Sequence, residues 1–295
     1  MKLHNEKFET YFSSVYGDRW PALSQALEAS ETQVLRKNIF ADYDANDFSA
    51  ASFNNCFVVN PEINVHNLRD ANETQVFYKM DPASVLVATA LDVQPEDLVL
   101  DMCAAPGGKT LILAEKLNGT GQLVSNEYSN ARRERLVRVV REYLPHDNRQ
   151  NVFVQGKDGN AFGRDKADVF DRVLADVPCS GERHLLENPE EFAEWTKRRS
   201  ENLAIRQYSL LSSAYLACRV GGQIVYSTCS ISPLENDDVV KKLNKKRSVE
   251  FLEFPEASKY PFLEKTQFGY QILPDRSEGY GPMYFSIIRK LAADT

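Results

Sequence analysis

Short apolar runs alternate along the chain with stretches whose apolar positions repeat at helical spacing. The runs are typical of buried strands, and they lie at 98–100, 122–126, 151–155, 169–175, 223–227 and 283–289. The helical stretches lie at 82–91, 108–117, 130–144 and 203–220. Strands that alternate with helices predict an α/β protein with a mostly parallel sheet and helices on both faces.

The N-terminal part follows a different pattern. Its apolar residues at 8, 11, 12 and 15 share one helical face, and Trp20-Pro21 opens a second short helix. From about Phe40 to Asn72 the chain is rich in Asn, Asp and Ser, which predicts loops with one strand at Cys56–Val59. We therefore expect a small, mainly helical extension over residues 1–77, which contacts the substrate, and a catalytic domain over 78–295.

Composition narrows the class of protein. The chain has 295 residues, of which 43% are hydrophobic, so a large core is available. The net charge of −7 argues against tight non-specific binding to nucleic acid, which depends on phosphate neutralisation, although a local basic groove is compatible with it. The five cysteines form no C-x-x-C pair, and we expect neither zinc nor disulfides. No signal peptide or membrane-length apolar run is visible, which favours the cytoplasm and no membrane partner.

The stretch Leu98–Thr110, LVLDMCAAPGGKT, predicts a strand, a tight glycine turn and a helix. Such a turn lets backbone N–H groups approach a polar, adenosine-sized ligand. A dinucleotide fingerprint is excluded because only one adjacent glycine pair is present. A phosphate loop is excluded because Cys103 stands where that loop requires glycine.

Acids and thiols follow the other predicted strands, where open α/β sheets bind ligands. Glu127 lies about 20 residues after the glycine turn, at the place of an acid that binds ribose hydroxyls. Asp158-Gly159 follows the third strand, Asp176-Val177-Pro178-Cys179 the fourth, and Thr228-Cys229 the fifth. Thiols in a polar crevice are candidate nucleophiles. Cys56 and Cys218 lack that setting and are expected to be small buried hydrophobes.

Three segments, DMCAAPGGKT, DVPCSGER and YSTCSISPLEND, resemble motifs of the Nol/Nop/Sun family of RNA cytosine-C5 methyltransferases, in the family's order. The resemblance runs from about Tyr78 to the C-terminus. NEYSNARRERL, DVPCSGERHLL and GYGPMYF are most similar to the mitochondrial branch, which makes the mitochondrion the alternative location. The resemblance implies a class I methyltransferase fold, with a Rossmann-like sheet of seven strands, and S-adenosyl-L-methionine as cofactor.

The resemblance also implies roles for particular residues. Glu127 would bind the ribose, with Arg132 nearby, and Asp158 and Gly159 would lie near the adenine. Asp176 would lie between the cofactor and the target base. Cys229 would be the nucleophile and Cys179 would assist product release, with no metal involved. The methionine part of the cofactor would be held by Cys103, Ala104, Ala105, Pro106, Gly107, Gly108 and Lys109.

The chemistry of the reaction explains the need for a thiol. C5 of cytosine attacks a sulfonium methyl only after a thiolate has added at C6, which is the role predicted for Cys229. An acid near N3, the place predicted for Asp176, would stabilise charge in the ring. The Thr228-Cys229 pair favours RNA over DNA, because the Pro-Cys cysteine is itself the nucleophile of DNA enzymes. The predicted substrate is structured RNA, ribosomal first and transfer RNA second; the alternative is a non-catalytic RNA-binding assembly factor.

The segment after Cys179 departs from most of the family, because Glu182-Arg183-His184-Leu185 replaces a threonine-containing basic run. Because the change lies outside the predicted catalytic residues, it leaves the identity of the RNA substrate open more than the activity itself. Lys197–Arg199 is expected to contact RNA phosphates. Phe192, Trp195 and His184 are candidates for base stacking, with anchoring of the loop as the alternative for Trp195. Targeting by a protein partner stays possible, and we expect a monomer.

Overall fold

The computed structural model describes residues 5–60 and 62–293. Its helices are α1 Glu6–Tyr16, α2 Trp20–Glu28, α3 Pro82–Ala90, α4 Gly108–Leu117, α5 Asn130–Tyr143, α6 His146–Arg149, α7 Phe162–Asp165, α8 Glu182–Leu186, α9 Pro189–Ala193, α10 Lys197–Ala217 and α11 Asp237–Asn244. Its strands are β1 Val34–Lys37, β2 Cys56–Val58, β3 Phe77–Met80, β4 Leu98–Asp101, β5 Gln122–Asn126, β6 Val152–Gln155, β7 Phe170–Asp176, β8 Cys218–Thr228, β9 Val249–Phe251, β10 Glu264–Lys265, β11 Tyr270–Ile272 and β12 Met283–Lys290.

The large sheet has the order β10-β11-β12-β8-β7-β4-β5-β6, with β9 also paired to β12. The five strands from β8 to β6 are parallel, and β12 is antiparallel to β8. Strands β9 and β11 run with the parallel five, because each is antiparallel to β12. The predicted mostly parallel sheet is confirmed. The described part of the sheet has nine strands rather than the predicted seven, because two short strands are added: β9 pairs with β12, and β10 pairs with β11.

Side chains that alternate along the central strands enter two separate cores. Leu174 and Val225 face a core formed with α3, α4 and α5. Their neighbours Val173 and Ile224 face a second core, which contains residues of α7, α10 and α11. Because successive side chains of a strand point to opposite faces, helices cover both faces of the sheet as predicted.

The helix that precedes the central strand begins as its sequence indicates. The Asp81 carboxylate accepts a hydrogen bond of 2.8 Å from the Ala83 backbone N–H, and Pro82 occupies the first turn. An oxygen at the N-cap and proline at the first position satisfy the exposed end of a helix. This start anchors α3 beside the strand ends that carry the polar residues.

The N-terminal extension contains more than its two predicted helices. Strands β2, β1 and β3 form a small antiparallel sheet. The sequence pattern predicts β2 but not β1, since Val34–Lys37 ends in two charged residues and shows no clear alternation. The boundary after Phe77 falls within β3, so the extension and the catalytic domain share a strand. Residues 1–4 and 61 of the extension lie outside the described residues.

An aromatic cluster attaches the extension to the segment 182–196. It consists of Phe8, Phe12, Trp20, Phe192 and Trp195. The Phe8 ring centroid lies 5.1 Å from that of Phe192 and 5.0 Å from that of Trp195. Trp195 is 1% exposed and Phe192 2%, so the base-stacking prediction for both is wrong. They are buried by α1 and α2 and anchor the segment instead.

Helix α10 begins six residues earlier than the predicted residue 203. Lys197–Arg199 therefore forms its first turn and does not lie in a loop. The helix ends at Ala217, three residues before the predicted residue 220. Gly221-Gly222 lies within β8, where the pairing with β7 is irregular. In the part of the chain that the structure describes, none of the helices could cross a membrane.

Candidate active site

The carboxyl ends of β4, β7 and β8 surround a cavity of about 570 Å³. Parallel strands present these ends at one edge of the sheet, so residues distant in sequence meet there. The residues that line the cavity include Cys103, Ala105, Lys109, Arg132, Asp176, Cys179, Arg183, Arg199 and Cys229. The two cysteines predicted to carry the chemistry thus face the same space as the glycine turn.

Cys179 and Cys229 meet because their strands are in register, with Asp176 opposite Ser227. Their Cα atoms are 6.3 Å apart and their sulfurs form a disulfide. The expectation of no disulfide is therefore wrong, because sequence spacing does not show a pairing across 50 residues. Nucleophilic chemistry requires the reduced pair, since the thiolate is the attacking form.

Lys109 links the glycine turn to the end of β7. Its Nζ lies 2.8 Å from Asp176 Oδ2 and 2.9 Å from Ser84 Oγ. The Ser227 hydroxyl donates to Asp176 Oδ1 over 2.7 Å. An ammonium and a hydroxyl thus both donate to Asp176 and hold its carboxylate as an acceptor. Ser84 carries no sequence signal for this role, because only the packing of α3 brings it to the site.

Backbone conformation, close packing and a hydrogen bond fix the turn from Cys103 to Lys109. Gly107 has φ of +119°, a conformation that favours glycine. A Cβ on Gly108 would lie 2.7 Å from a ring carbon of Tyr78, so glycine is needed there as well. Arg132 donates to the Ala105 carbonyl over 2.8 Å. A second cavity of about 220 Å³ adjoins this turn and reaches Asp101.

Glu127 lies at the end of β5 and is 5% exposed. Its Oε1 accepts a hydrogen bond of 2.8 Å from the Ser129 backbone N–H. Within the described residues, its buried Oε2 has no hydrogen-bond partner, and Arg132 Nη2 lies 3.5 Å away. A buried acceptor without a donor is unfavourable unless a ligand supplies one, and a ribose hydroxyl is a suitable donor.

Asp158 and Gly159 lie outside both cavities. Asp158 is exposed and accepts a hydrogen bond of 3.0 Å from the Asn160 N–H at the start of a short 3₁₀ turn. Gly159 packs closely on Leu210 and Met102, and Met102 precedes Cys103 in the chain. Their role at the adenine stays a prediction.

The site is acidic. Burial raises the pKa of Asp81 and of Asp101 to about 7. Burial also raises the pKa of the Cys103 thiol, which makes that cysteine a poor nucleophile. At Asp81 and Asp101 the raised pKa favours the neutral acid, which can donate as well as accept a hydrogen bond.

The family described as 16S rRNA methyltransferase RsmB/F matches residues 88–289. The chain belongs to this family. It is 38% identical over 232 residues to "5-cytosine rRNA methyltransferase NSUN4" of Bos taurus, an alignment that covers 71% of this chain and 58% of the bovine protein. It is 35% identical over 225 residues to "tRNA (cytosine(34)-C(5))-methyltransferase, mitochondrial" of Danio rerio, covering 73% and 61% respectively.

The chain thus aligns with about three fifths of each of these two RsmB/F relatives. A crystal structure of a methyltransferase homologue from Pyrococcus horikoshii superposes with a TM-score of 0.81 at 22% identity, over 98% of this chain and 96% of that one. The predicted Nol/Nop/Sun resemblance and the class I methyltransferase fold are confirmed.

S-adenosyl-L-methionine is accordingly the cofactor, as predicted, and the buried Glu127 Oε2, which has no hydrogen-bond donor within the described residues, fits its ribose. Across residues 5–60 and 62–293, no group of three or more His, Cys, Asp or Glu side chains could hold a metal ion. The cytoplasmic location finds no support among these relatives, one of which is named as mitochondrial.

Proposed function

We propose that the protein methylates C5 of a cytosine in structured RNA through a covalent intermediate at Cys229. The observation that carries the proposal is the meeting of Cys179 and Cys229 at one cavity with the glycine turn and Asp176. A protein that only binds RNA has no need of two thiols at adjacent strand ends. Membership of the RsmB/F family supports the same chemistry.

The cofactor would lie along the turn from Cys103 to Lys109, with its ribose on Glu127 and Arg132 beside it. The backbone of that turn, with Asp176 at the same cavity, suits its amino-acid end. When bound, S-adenosyl-L-methionine supplies the methyl group from its sulfonium. We retain Asp158 and Gly159 as candidates for the adenine, on the resemblance alone.

Catalysis begins when the Cys229 thiolate forms a bond to C6 of the cytosine. The electron pair displaced from the C5–C6 double bond makes C5 nucleophilic, and C5 takes the methyl group. A base then removes the C5 proton, and the electrons of that C–H bond restore the double bond and expel the Cys229 thiolate. Cys179 is close enough to assist this elimination, since its sulfur contacts that of Cys229.

Asp176 contributes as an acceptor in this scheme. Because Lys109 and Ser227 both donate to it, its carboxylate suits the exocyclic amino group of the cytosine, beside N3. This edge distinguishes cytosine from uracil, whose O4 would face the carboxylate without a hydrogen. The contact would therefore select the base as well as orient it.

RNA would approach along the first turns of α10. A groove of about 530 Å³ runs from Cys179 past Arg198, Arg199 and Arg206. Arg198 and Arg206 are exposed, and Arg199 lines both the groove and the main cavity. Basic side chains along a groove neutralise phosphates without reading sequence. The groove includes Arg198 and Arg199 of the predicted contact Lys197–Arg199, and we extend the proposal to Arg206.

Ribosomal RNA is the first substrate that we propose, because the bovine relative carries that substrate in its name. Transfer RNA is the second, on the name of the zebrafish relative. That relative also favours the mitochondrion over the cytoplasm. Targeting by a protein partner and a monomeric state stay predictions.

The test is incubation of the full chain, under reducing conditions, with cofactor labelled in its methyl group and with ribosomal or transfer RNA. Label in 5-methylcytosine of one RNA class identifies both the reaction and the substrate. Label in another nucleoside would contradict the cytosine assignment. RNA binding without transfer to either class would support the assembly-factor alternative.

A further inference from the structure

Two carboxyl groups lie buried directly behind the catalytic cysteines. Glu182 belongs to α8 and Glu235 to the turn before α11, and both are 0% exposed. Between them lie Ser180 and Ser230, the residues that follow Cys179 and Cys229. The backbone that carries each sulfur is therefore attached to this buried group.

Glu235 is well supplied with donors. Its Oε2 accepts 2.9 Å from the Ser180 backbone N–H and 2.8 Å from Gln207 Nε2. Its Oε1 lies 2.6 Å from the Ser180 hydroxyl oxygen. Three donors, two of them N–H groups, suit an ionised carboxylate.

Glu182 has a different environment. Its Oε2 accepts 3.0 Å from the Ile231 backbone N–H. Its Oε1 contacts the Ser180 hydroxyl oxygen and lies 3.1 Å from Ser230 Oγ. The two serine oxygens are themselves 2.9 Å apart. The Ser180 oxygen thus has three oxygen neighbours at hydrogen-bond distance.

The hydrogens available on the two serines cannot serve all these contacts. Ser180 has one hydroxyl hydrogen, and when it is donated to Glu235 its oxygen can only accept from Glu182 and Ser230. Ser230 can supply one of those hydrogens. The short contact between Glu182 and Ser180 then requires a hydrogen on Glu182 itself. A single extra proton serves the contact between Glu182 and Ser180, and the Ser230 hydrogen then serves either Ser180 or Glu182. Two bare carboxylates would leave a closely spaced oxygen pair without a hydrogen.

We propose that Glu182 is a positioning residue that is held as the neutral carboxylic acid, shares one proton with Glu235, and fixes the two cysteine-bearing loops. Its effect on catalysis rests on the proposed function. Loss of the proton would place a second negative charge behind both sulfurs, oppose formation of the Cys229 thiolate, and push Glu182 away from Glu235. Methyl transfer should therefore decline on the alkaline side.

The surroundings support a neutral Glu182. Burial and the charge of Glu235 raise the pKa of Glu182 to about 7. From α1, Tyr16 donates to the Ile231 carbonyl over 2.6 Å, and Tyr11 lies 3.1 Å from Ser232 Oγ.

The remaining groups that face the pair come from β8, α1 and α11. Tyr226 of β8 donates to the Glu235 carbonyl over 2.6 Å. Burial raises the pKa of Tyr226, of Tyr16 and of Tyr11, so the three phenols stay neutral where Glu182 titrates. Besides the pair itself, the charged groups that act on Tyr16 are Arg19 and Glu264, and Asp238 acts on Tyr11.

The experiment compares the pH dependence of methyl transfer in the wild type, Glu182→Gln, Glu182→Ala and Glu190→Gln. An amide at 182 donates to Ser180 like the acid but cannot ionise. We expect Glu182→Gln to keep kcat within about threefold of wild type near neutral pH, and to lose the alkaline decline. Glu182→Ala should lower kcat by about 100-fold with a small change in KM, since it leaves the Ile231 N–H without an acceptor and removes one of the partners of Ser180. Glu190, exposed on α9, is the matched control and should keep the wild-type profile.

Two outcomes would overturn the proposal. One is an unchanged alkaline decline in Glu182→Gln, which would place the titration elsewhere. The other is a folded Glu182→Gln protein that is as inactive as Glu182→Ala, because that result would require a charge at 182.

Thermal unfolding provides a readout that does not depend on the proposed function. Folded Glu182 keeps a proton that the unfolded chain loses above its ordinary pKa of 4.5, so it makes the Tm fall as pH rises. We expect a smaller fall from about pH 5.5 to about pH 8 in Glu182→Gln than in wild type. If no RNA is methylated but this difference appears, the proposed function fails and the proton assignment stands. An equal fall in both proteins contradicts the assignment.

Discussion

Two regions of the molecule, the rim of the cavity and the aromatic cluster, consist of different kinds of side chain. The rim consists of the strand ends after β4, β7 and β8, where a few side chains bear the chemistry and several reach the cavity surface. The aromatic cluster, Phe8, Phe12, Trp20, Phe192 and Trp195, consists of buried rings that pack on one another and on apolar neighbours, with one polar contact from Trp20 Nε1 to Glu9. A substitution in the rim should therefore lower the rate of methyl transfer and leave the free energy of unfolding unchanged. A substitution in the cluster should lower the free energy of unfolding and leave the chemical step unchanged.

The largest expected effect is that of Cys229→Ala. Removal of the nucleophile should lower methyl transfer by about 10⁴-fold or more, because the covalent bond to C6 can then not form at position 229. The exposed position of Cys229 predicts an unchanged free energy of unfolding. The measurement is label transfer beside urea unfolding, both under reductant. Cys56→Ala, in the core and away from the cavity, is the matched control; comparable activity in the two variants would remove Cys229 from the mechanism.

Trp195→Ala tests the other side of the comparison. Loss of a ring that is 1% exposed should lower the free energy of unfolding by about 3–5 kcal/mol. Ile205→Ala, at a side chain that is 64% exposed, should change it by less than about 0.5 kcal/mol. Denaturant titration of both proteins provides the measurement. Unchanged stability together with weakened RNA binding would return Trp195 to the role of a base-stacking residue.

Cys179→Ala separates the two thiols of the rim. If Cys179 assists elimination, the variant should form the bond to RNA but release it slowly, with turnover lower by about 100-fold. A protein–RNA adduct that survives denaturation should then accumulate, and its shift on a denaturing gel is the measurement. Free turnover without an adduct would show that the assigned roles are wrong.

The smallest expected effect is that of Arg206→Ala in the groove beside Cys179. One lost phosphate contact should raise KM by about two- to fivefold and leave kcat unchanged. It should also reduce the slope of the logarithm of the binding constant against the logarithm of salt concentration by about one. Lys241→Ala, on the exposed face of α11, is the control and should behave as wild type. Equal effects of the two would mean that the groove holds no RNA.

The sequence predicts the rim better than its surroundings. The helix start at Asp81-Pro82, the glycine turn and the acids and thiols after the strands depend on neighbours within a few residues, and the structure places the cysteines and Asp176 at one cavity. Strand β1 is not predicted, because Val34–Lys37 becomes a strand through its pairing with β2 and β3. Ser84 and Glu182 have no local pattern either, since their partners lie far away in the chain.

By itself, the sequence of this protein determines which residue types stand at each strand end, because turns, caps and strand periodicity are local properties of the chain. Only the tertiary structure decides which of those residues meet. The register of β7 with β8 brings Cys179 to Cys229, and the packing of α1 and α2 buries Trp195. The same packing encloses Glu182 beside Glu235, where loss of solvent changes the chemistry of a side chain whose neighbours in sequence do not reveal it.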